Sequence, residues 1–523
     1  MIELTAGTVA EVTGGALIDG AHEDTVVTGP VEFDSRAVTP GSIFMALPGA
    51  RVDGHDFAGA ALGDGAALVM VGRGVGTPAL LCPSVAESGD PGTANAAYLE
   101  HDPDGTGARV LAAVGRLARH NTDVLVRENG LTVVGVTGSA GKTSTKDLIA
   151  AVLAEDGETV APPGSFNNEI GHPYTVLRAG RTTRHLVTEM SARGRGHIAQ
   201  LARIAPPRIG VVLNVGSAHL GEFGSRDAIA EAKGELVEAL PAGDAGGTAV
   251  LNADDPRVDA MASRTDATVV RFSTAPDAAD RGVGYRATDI TLDDVARASF
   301  TLHHPHGEPV RVDLSVFGAH QVSNALAAAA VGMECGIAPD VVAAALSRHS
   351  ATSANRMDVR TRADGVTVIN DSYNANPDSM RAGIDALAYT AAGRPDAASW
   401  AVLGQMGELG EDSVAEHERL ADVLVDRGID HLVVVGTGVN QRALHRAARG
   451  RGLSSHEVES VDAAVNVLDH DLSPHDIVLV KASYADGLWA VAEGLLAGEG
   501  SRAPRRPTHI PRTVTRHHRQ HGQ

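Results

Sequence analysis

A short glycine loop constrains the fold of this chain more than any other segment: Thr137-Gly138-Ser139-Ala140-Gly141-Lys142-Thr143. It lies between the apolar run Leu131–Val136 and an amphipathic run over Ser144–Ala154, an order that predicts a strand, a tight loop and a helix. Glycines let backbone N–H groups approach phosphates, and a helix N-terminus favours negative charge. The lysine reaches the outer phosphates and the threonine hydroxyl can ligate Mg²⁺. We therefore predict a nucleotide-phosphate site at this loop.

The loop is shorter than the common phosphate-binding pattern G-x-x-x-x-G-K-[ST]. Val136 stands where the first glycine of that pattern would be. A glycine-rich turn that binds nothing is the alternative, and the placement of Lys142 and Thr143 directly after a strand argues against it.

Length and composition set the remaining bounds. A chain of 523 residues is too long for one core. Its formal charge of −21 argues against nucleic-acid binding but not against a nucleotide, which needs only a local positive site. The two cysteines, Cys82 and Cys335, imply no disulfide framework and fit a reducing cytoplasm. No apolar run is long enough to span a membrane and no secretory signal is visible, so we expect a cytoplasmic protein without membrane insertion.

Alternating apolar runs and helix-like stretches predict an α/β protein of three domains. We place an N-terminal α/β domain at 1–128, a central domain with a mostly parallel sheet at 129–352 and a doubly wound domain at 353–500. The stretch between Cys82 and Ala108 has the composition of an exposed loop. The basic segment 501–523 has too little apolar content to fold, and we expect it to be disordered.

Polar residues that follow the central strands are candidates for metal binding, because ligands bind beyond the carboxyl ends of parallel strands. Glu189 follows Leu186–Thr188, and Asn214 and then His219 follow Ile209–Leu213. Together with Thr143, Glu189 and His219 can supply hard ligands and one imidazole for Mg²⁺. Lys233 lies among acids on a probable helix, where a surface lysine in a network of ion pairs is the ordinary interpretation.

Three further loops follow predicted strands or precede helices. Asn167-Asn168-Glu169-Ile170-Gly171 is turn-like, and Tyr373-Asn374-Ala375-Asn376-Pro377-Asp378-Ser379-Met380 comes after the strand Val366–Ile369. Gly404–Gly410 follows the next strand, and His417, on the helix after it, is expected at the surface unless it faces this loop.

These motifs, in this order, resemble those of the Mur ligases, the ATP-dependent amide ligases of peptidoglycan precursor synthesis. The Asn167–Gly171 and Tyr373–Met380 motifs, with Asp34-Ser35-Arg36 and Gly54-His55-Asp56-Phe57, are most similar to the MurF type. That type joins D-alanyl-D-alanine to UDP-N-acetylmuramoyl-tripeptide. The resemblance runs from about residue 30 to 495 and implies a UDP-substrate domain, a P-loop ATPase domain and a Rossmann-like ligase domain.

The resemblance also implies roles for individual residues. The loop residues 138–144 hold the ATP phosphates, with Asn168 near them and Asn324 beside the adenine. Arg356 and Asp371 reach the nucleotide from the C-terminal domain, and Ser35 and Arg36 lie near the uridine nucleotide. Asn374 and Asn376 belong to the substrate-binding loop. Thr143 and Glu189 ligate one Mg²⁺, while His219 and Lys233 serve a second, with Lys233 carbamylated. A carbamate is an anion, which reverses the interpretation of Lys233 as a surface cation.

A carboxylate is a poor acyl acceptor for an amine, so we expect ATP to convert the terminal carboxylate of the tripeptide into an acyl phosphate, with Lys142 and two Mg²⁺ ions stabilising the transferring group. We expect a monomer. Where the family often has Lys-Gly-Ser-Arg, this chain has Lys481-Ala482-Ser483-Tyr484. That departure leaves open a paralogue acting on a related precursor or in specialised metabolism. A nucleotide-binding regulator without ligase activity is a further alternative, as is a related amide ligase such as folylpolyglutamate synthetase.

Overall fold

The computed structural model describes residues 1–85, 102–216, 220–350, 353, 355–394, 396–407 and 409–497. In this part of the chain the strands form one two-stranded pair and three larger sheets. Each larger sheet is mostly parallel and packs against helices, so the predicted α/β class with three such units is confirmed. The boundaries drawn at 128, 352 and 500 stay predictions, and the basic segment 501–523 lies outside the described residues.

The first unit contains a five-stranded sheet of order β2-β7-β6-β5-β4, and β1 pairs with β3. Its strands are β1 Leu4–Thr5, β2 Ala16–Ile18, β3 Val26–Val27, β4 Val31–Glu32, β5 Ile43–Met45, β6 Leu68–Val71 and β7 Ala79–Leu81. Its helices are α1 Ala6–Thr13, α2 Ala58–Gly63 and α3 Thr106–Asn129.

The prediction of an exposed loop between Cys82 and Ala108 is partly wrong. Cys82 is buried, and α3 already begins at Thr106, after Gly105 in the left-handed conformation (φ 66°). The Asp102 carboxylate accepts the N–H groups of Gly107 and Ala108, which satisfies the first turn of the helix. Residues 86–101 lie outside the described part of the chain.

The second unit is a nine-stranded sheet of order β16-β15-β14-β13-β12-β11-β8-β10-β9. Its strands are β8 Thr132–Thr137, β9 Thr159–Val160, β10 His185–Glu189, β11 Ile209–Val212, β12 Thr248–Asn252, β13 Thr268–Ser273, β14 Tyr285–Leu292, β15 Arg297–His303 and β16 Val310–Phe317. Its helices are α4 Lys142–Leu153, α5 Gly171–Val176, α6 His197–Ile204, α7 Leu220–Phe223, α8 Arg226–Glu238, α9 Pro256–Asp259, α10 Gln321–Glu334 and α11 Pro339–Arg348.

The strand before the glycine loop lies at the centre of this unit. All six residues of β8 are buried, and β8 pairs in parallel with β10 on one side and β11 on the other. Val134 and Val136 face a core shared with α4 and α10, whereas Leu236 of α8 packs beneath Gly135. This register brings the carboxyl ends of β8, β10 and β11 to one edge of the sheet, which is where the polar residues after each strand meet.

The third unit is a six-stranded sheet of order β17-β18-β22-β19-β20-β21, in which β17 alone runs antiparallel to its neighbour. Its strands are β17 Asp358–Thr361, β18 Thr367–Asn370, β19 Ser399–Leu403, β20 His431–Val435, β21 Ser454–Val458 and β22 Ile477–Lys481. Its helices are α12 Pro377–Ala392, α13 Ser413–Asp426, α14 Val439–Gly450, α15 Val461–Asp471 and α16 Trp489–Ala497.

The second and third units face one another across the carboxyl ends of their strands. Asp378, in the first turn of α12, lies against Gly216, where an added Cβ would overlap its carboxylate. Gly221 of α7 likewise meets the backbone of Gly410. Across the described ranges, no helix combines the length and apolarity that crossing a membrane requires.

Candidate active site

The glycine loop lines a cavity of about 570 Å³ between the second and third units. Gly141 has φ 83°, a left-handed conformation that favours glycine, and an added Cβ would lie 2.8 Å from Oδ1 of Asn324. The Nζ of Lys142 donates to the Gly138 carbonyl at 2.8 Å. Because α4 begins at Lys142, the N–H groups of its first turn have no helical acceptor and face an anion site.

Asn214 fixes the shape of the loop. Its Oδ1 accepts the backbone N–H groups of Ser139 (3.0 Å) and Ala140 (2.9 Å), and its Nδ2 donates to the Ala140 carbonyl at 3.1 Å. Asn214 follows β11, so the strand next to β8 holds the loop by a side chain. The sequence indicated Asn214 only as a residue at the end of a strand. Its contact with the loop could not be predicted, because it depends on β11 lying next to β8 in the sheet.

The structure brings together Thr143 and Glu189, the two side chains that the sequence proposed as oxygen ligands for one Mg²⁺. The Thr143 hydroxyl lies 3.0 Å from Oε2 of Glu189, which is 1% exposed, and Nδ2 of Asn167 donates to the other carboxylate oxygen at 2.7 Å. Hydroxyl and carboxylate oxygens that converge in this way fit Mg²⁺, which prefers hard oxygen ligands. Among the described residues no three His, Cys, Asp or Glu side chains gather at a metal-sized site, and His219 lies outside those residues.

Lys233 is buried, and the interpretation as a surface lysine is wrong. The side chain lies in α8 at 3% exposure. Burial, and then the positive charge of Lys142, lower the pKa of Lys233 well below 10.5. A neutral amine is the form that reacts with CO₂, so this environment fits a carbamate, which would place anionic oxygens at the end of the Lys233 side chain.

Asn324 and Asn168 both line the cavity. Asn324, in α10, is 6% exposed, and its Nδ2 donates to Oε1 of Gln321 at 2.9 Å. Asn168 accepts the N–H of Gly171 at 2.9 Å and thereby begins α5. Both predicted ATP-binding residues therefore line the same cavity as the glycine loop.

The third unit supplies the opposite wall. Arg356, Asp371, Asn374 and Asn376 all line the cavity, as the sequence analysis predicted for one shared site. Asp371 follows β18, and Lys481 is the last residue of the neighbouring strand β22. The two residues form an ion pair 2.6 Å long, in which the lysine side chain is 2% exposed. The Nζ of Lys481 also donates to the Asn374 carbonyl at 2.9 Å, which fixes the loop that contains the predicted substrate residues.

Asn376 has a structural role besides its position at the cavity. It is the N-cap of α12, where its Oδ1 accepts the Ser379 N–H at 2.8 Å and the Ser379 hydroxyl completes a capping box. Pro377 occupies the first turn of the same helix. The dense Asn, Pro, Asp and Ser pattern is thus both a helix start and a cavity wall.

Ser35 and Arg36 do not belong to this cavity. They lie in a single turn, Ser35–Ala37, on the first unit, where Arg36 forms two hydrogen bonds with Asp34 through Nε (2.9 Å) and Nη2 (2.7 Å). These hydrogen bonds lower the pKa of Asp34 to about 2. Phe33 packs edge-on against Tyr174 of α5, with ring centroids 5.3 Å apart, so this turn borders the second unit at α5.

His417 is buried and faces the Gly404–Gly410 loop, which is the exception that the sequence analysis named to a surface position. Its Nε2 accepts the Met406 N–H at 2.9 Å, and its Nδ1 lies 2.6 Å from the Ser413 carbonyl, to which it donates. Burial lowers its pKa. Sequence reasoning also missed Ser165, whose hydroxyl lies 2.8 Å from that of Thr143 and which nothing in its local sequence distinguishes from a loop serine.

Three family models match successive parts of the chain. They describe the Mur ligase family catalytic domain over residues 30–93, the Mur ligase middle domain over 136–332 and the Mur ligase glutamate ligase domain over 355–484. These segments fall on the three units described above.

Proteins of similar sequence cover nearly the whole chain. A UDP-N-acetylmuramoyl-tripeptide–D-alanyl-D-alanine ligase of Mycobacterium tuberculosis is 54% identical over 95% of this chain and 99% of its own length. The protein of the same name from Escherichia coli is 32% identical over the same shares of the two chains.

Solved structures give the same result. MurF from Acinetobacter baumannii superposes with a TM-score of 0.77 at 26% identity, covering 95% of this chain and 99% of that one. MurF from Thermotoga maritima in complex with ADP has a TM-score of 0.71 at 28% identity, covering 91% and 99%. The matched segments, the full-length sequence similarity and the shared fold together establish that this chain belongs to the Mur ligase family.

Proposed function

We propose that this chain uses ATP to join D-alanyl-D-alanine to UDP-N-acetylmuramoyl-tripeptide in the synthesis of a peptidoglycan precursor. The observation that carries this proposal is the cavity of about 570 Å³ between the second and third units, whose walls combine a glycine loop with Arg356 and Asp371. Relatives with the name of this activity are similar over nearly the whole chain. ATP and a UDP-linked substrate are cytoplasmic metabolites, so we propose a cytoplasmic monomer without membrane insertion.

The proposed chemistry follows from the poor reactivity of a carboxylate. One oxygen of the terminal carboxylate of the tripeptide attacks the γ-phosphorus of ATP, and ADP leaves. The amine of D-alanyl-D-alanine then attacks the acyl carbon of the acyl phosphate, loses a proton and expels phosphate. The carboxylate oxygen therefore leaves with the phosphate, and one C–N bond replaces the bond to that oxygen.

The loop residues Gly138, Ser139, Ala140, Gly141 and Ser144 would surround the ATP phosphates, and Lys142 would neutralise charge on the transferring group. This role suits the Lys142 side chain because its present partner is a loop carbonyl, 2.8 Å away, that a phosphate oxygen can replace. Asn168 would lie near the phosphates and Asn324 beside the adenine, and both residues line the cavity.

Thr143 and Glu189 would hold one Mg²⁺, and His219 with a carbamylated Lys233 would serve a second. Bound Mg²⁺ supplies positive charge that offsets the charge on phosphate oxygens. In this proposal the chain orients the Glu189 carboxylate through its bonds from Thr143 and Asn167. Burial lowers the pKa of Lys233, which favours the neutral amine that can accept CO₂.

Ser35 and Arg36 of the first unit would contact the uridine nucleotide, and Asn374 and Asn376 would contact the reacting substrates. Asn374 and Asn376 line the cavity, whereas Ser35 and Arg36 stand outside it on a turn that borders α5. This separation suits a long substrate whose nucleotide and peptide ends bind different units. Packing of the second unit on the third would exclude water, which otherwise hydrolyses the acyl phosphate.

A panel of substrates tests the proposed function. Several UDP-muramoyl peptides are combined with several amines, and phosphate release from ATP is followed. We expect rapid release only when UDP-N-acetylmuramoyl-tripeptide and D-alanyl-D-alanine are both present. Release that is indifferent to the dipeptide would contradict the proposal.

One observation favours a second candidate, a paralogous ligase for a related precursor. Tyr484, which is 57% exposed, stands where the family often has an arginine. A different peptide or amine giving the highest kcat/KM in the panel would support this candidate. A parent with no turnover on any pair would instead support a nucleotide-binding regulator without ligase activity.

A further inference from the structure

Three side chains of the third unit form a continuous stack beside the cavity. The guanidinium carbon of Arg356 lies 4.2 Å from the ring centroid of Tyr373. The Tyr373 ring lies 5.5 Å from that of Tyr484, at an interplanar angle of 44°. Both distances are typical of attractive cation–π and aromatic contacts. Tyr484 is thus at the outer end of the stack, and the guanidinium of Arg356, which lines the cavity, is at the inner end.

The inner end of the stack reaches the glycine loop of the second unit. Nη2 of Arg356 donates to the hydroxyl of Ser165 at 2.8 Å, and that hydroxyl lies 2.8 Å from the hydroxyl of Thr143. Nε of Arg356 is buried and has no hydrogen-bond acceptor among the described residues. Arg356 therefore offers an unused donor within two hydrogen bonds of the phosphate-binding threonine.

Two side chains of the third unit hold the backbone on either side of Arg356. Its neighbours Asn355 and Met357 have left-handed conformations, with φ 59° and 47°. The Asn355 side chain accepts from Nδ2 of Asn370 at 3.0 Å, and the Met357 N–H donates to the Asp371 carboxylate at 3.2 Å. These bonds hold the main chain, but a long arginine side chain keeps its rotamer freedom, which costs free energy when it is lost on binding.

We propose that Tyr484 is a positioning residue for the nucleotide: through Tyr373 it holds the Arg356 guanidinium toward Ser165 and the phosphate end of the cavity. The cost of ordering Arg356 is then met within the third unit before the nucleotide binds. A second guanidinium at position 484 would repel Arg356, whereas the Tyr484 ring packs on Tyr373 and leaves the cation in place. The inference rests on the proposed function only in requiring that a nucleotide occupies this cavity.

A double-mutant cycle tests the inference, with ADP and Mg²⁺ as the probe and calorimetry as the measurement. We expect Tyr484→Ala to weaken ADP binding roughly 3- to 10-fold, the size of one aromatic contact. Tyr484→Phe keeps the ring and should bind like the parent. In an Arg356→Ala background, Tyr484→Ala should change ADP affinity less than about 2-fold, the error of additivity for independent sites. Equal effects of Tyr484→Ala in the two backgrounds would overturn the inference.

Steady-state kinetics separate positioning from direct contact with the acceptor. The inference expects Tyr484→Ala to raise the KM for ATP and to leave the KM for D-alanyl-D-alanine unchanged. A raised KM for the dipeptide with normal ADP affinity would overturn the inference, because Tyr484 would then contact the acceptor. Thermal unfolding of each variant checks that it folds. Comparing Tyr373→Phe, which keeps the ring, with Tyr373→Leu, which removes it, repeats the test at the middle of the stack. Calorimetry needs no turnover, so a failure of the proposed function is distinguishable from a failure of this inference.

Discussion

The hydroxyl of Thr143 and the carboxylate of Glu189 meet at 3.0 Å, although 46 residues separate them in the chain. Thr143 stands in the first turn of the helix after β8, and Glu189 ends the neighbouring parallel strand β10. The parallel register therefore brings a hydroxyl and a carboxylate together beside the phosphate loop. This pair is the proposed site of one Mg²⁺ ion, and it leads to the first prediction.

Glu189→Gln should raise the Mg²⁺ concentration needed for half-maximal turnover by at least tenfold. The amide keeps the size of the side chain but removes the negative charge and places an NH₂ group where one carboxylate oxygen now accepts a bond. Activity is measured against Mg²⁺ concentration at saturating ATP. Glu169→Gln is the control, because Glu169 also lines the cavity but is not a predicted ligand. An unchanged Mg²⁺ dependence in Glu189→Gln would remove this carboxylate from the metal site.

Lys233 should acquire a carbamate when the protein is kept in bicarbonate. Burial and the charge of Lys142 lower its pKa, so the folded protein binds fewer protons at this site than the unfolded chain. In CO₂-free buffer the free energy of unfolding therefore rises with pH. The rise begins at the lowered pKa of Lys233 in the folded protein and ends near 10.5, the pKa of lysine in the unfolded chain. Carbon NMR with ¹³C-bicarbonate detects the carbamate directly.

Lys233→Met is the matched control for the carbamate signal and for the dependence of stability on pH. It should show no carbamate signal, a flatter dependence of unfolding temperature on pH, and no stabilisation by bicarbonate. A parent without a carbamate signal at saturating bicarbonate would contradict the assignment of Lys233 to the metal site.

The buried ion pair of Asp371 and Lys481 should stabilise the third unit only while both partners are present. Asp371→Ala leaves a buried ammonium uncompensated, which costs about 3–5 kcal/mol in comparable pairs. In the parent the two charged groups are 2.6 Å apart, and the lysine side chain is 2% exposed. Chemical denaturation measures the loss, and the double variant Asp371→Ala/Lys481→Met should recover at least half of it. No recovery in the double variant would show that the loss arises from another contact of Asp371.

Much of the fold and of the site could be predicted because the signals are local. The apolar runs matched β8, β10, β11 and β12 to within a few residues, and the glycine loop fixed the start of α4. The antiparallel strands β14, β15 and β16 were not predicted. Burial alternates along β15 and β16, and this half-buried pattern is weaker than the continuous apolar runs of the parallel strands.

The errors at the site arise from tertiary contacts that leave no local mark. Lys233 sits among acids along the chain, yet α8 turns it toward the buried side of the sheet. The sequence left the position of His417 open, because its acceptor role toward Met406 depends on how α13 packs on the preceding loop. Ser165 became visible only once the loop that contains it was placed against Thr143 and Arg356.

The most direct test of the central claim follows an oxygen atom from the substrate. The terminal carboxylate of UDP-N-acetylmuramoyl-tripeptide is labelled with ¹⁸O and turned over with ATP and D-alanyl-D-alanine, and the released phosphate is analysed by mass spectrometry. Activation through an acyl phosphate predicts one ¹⁸O atom in each phosphate released from doubly labelled substrate, with ADP as the nucleotide product. Phosphate without label, or label found in AMP, would contradict the account.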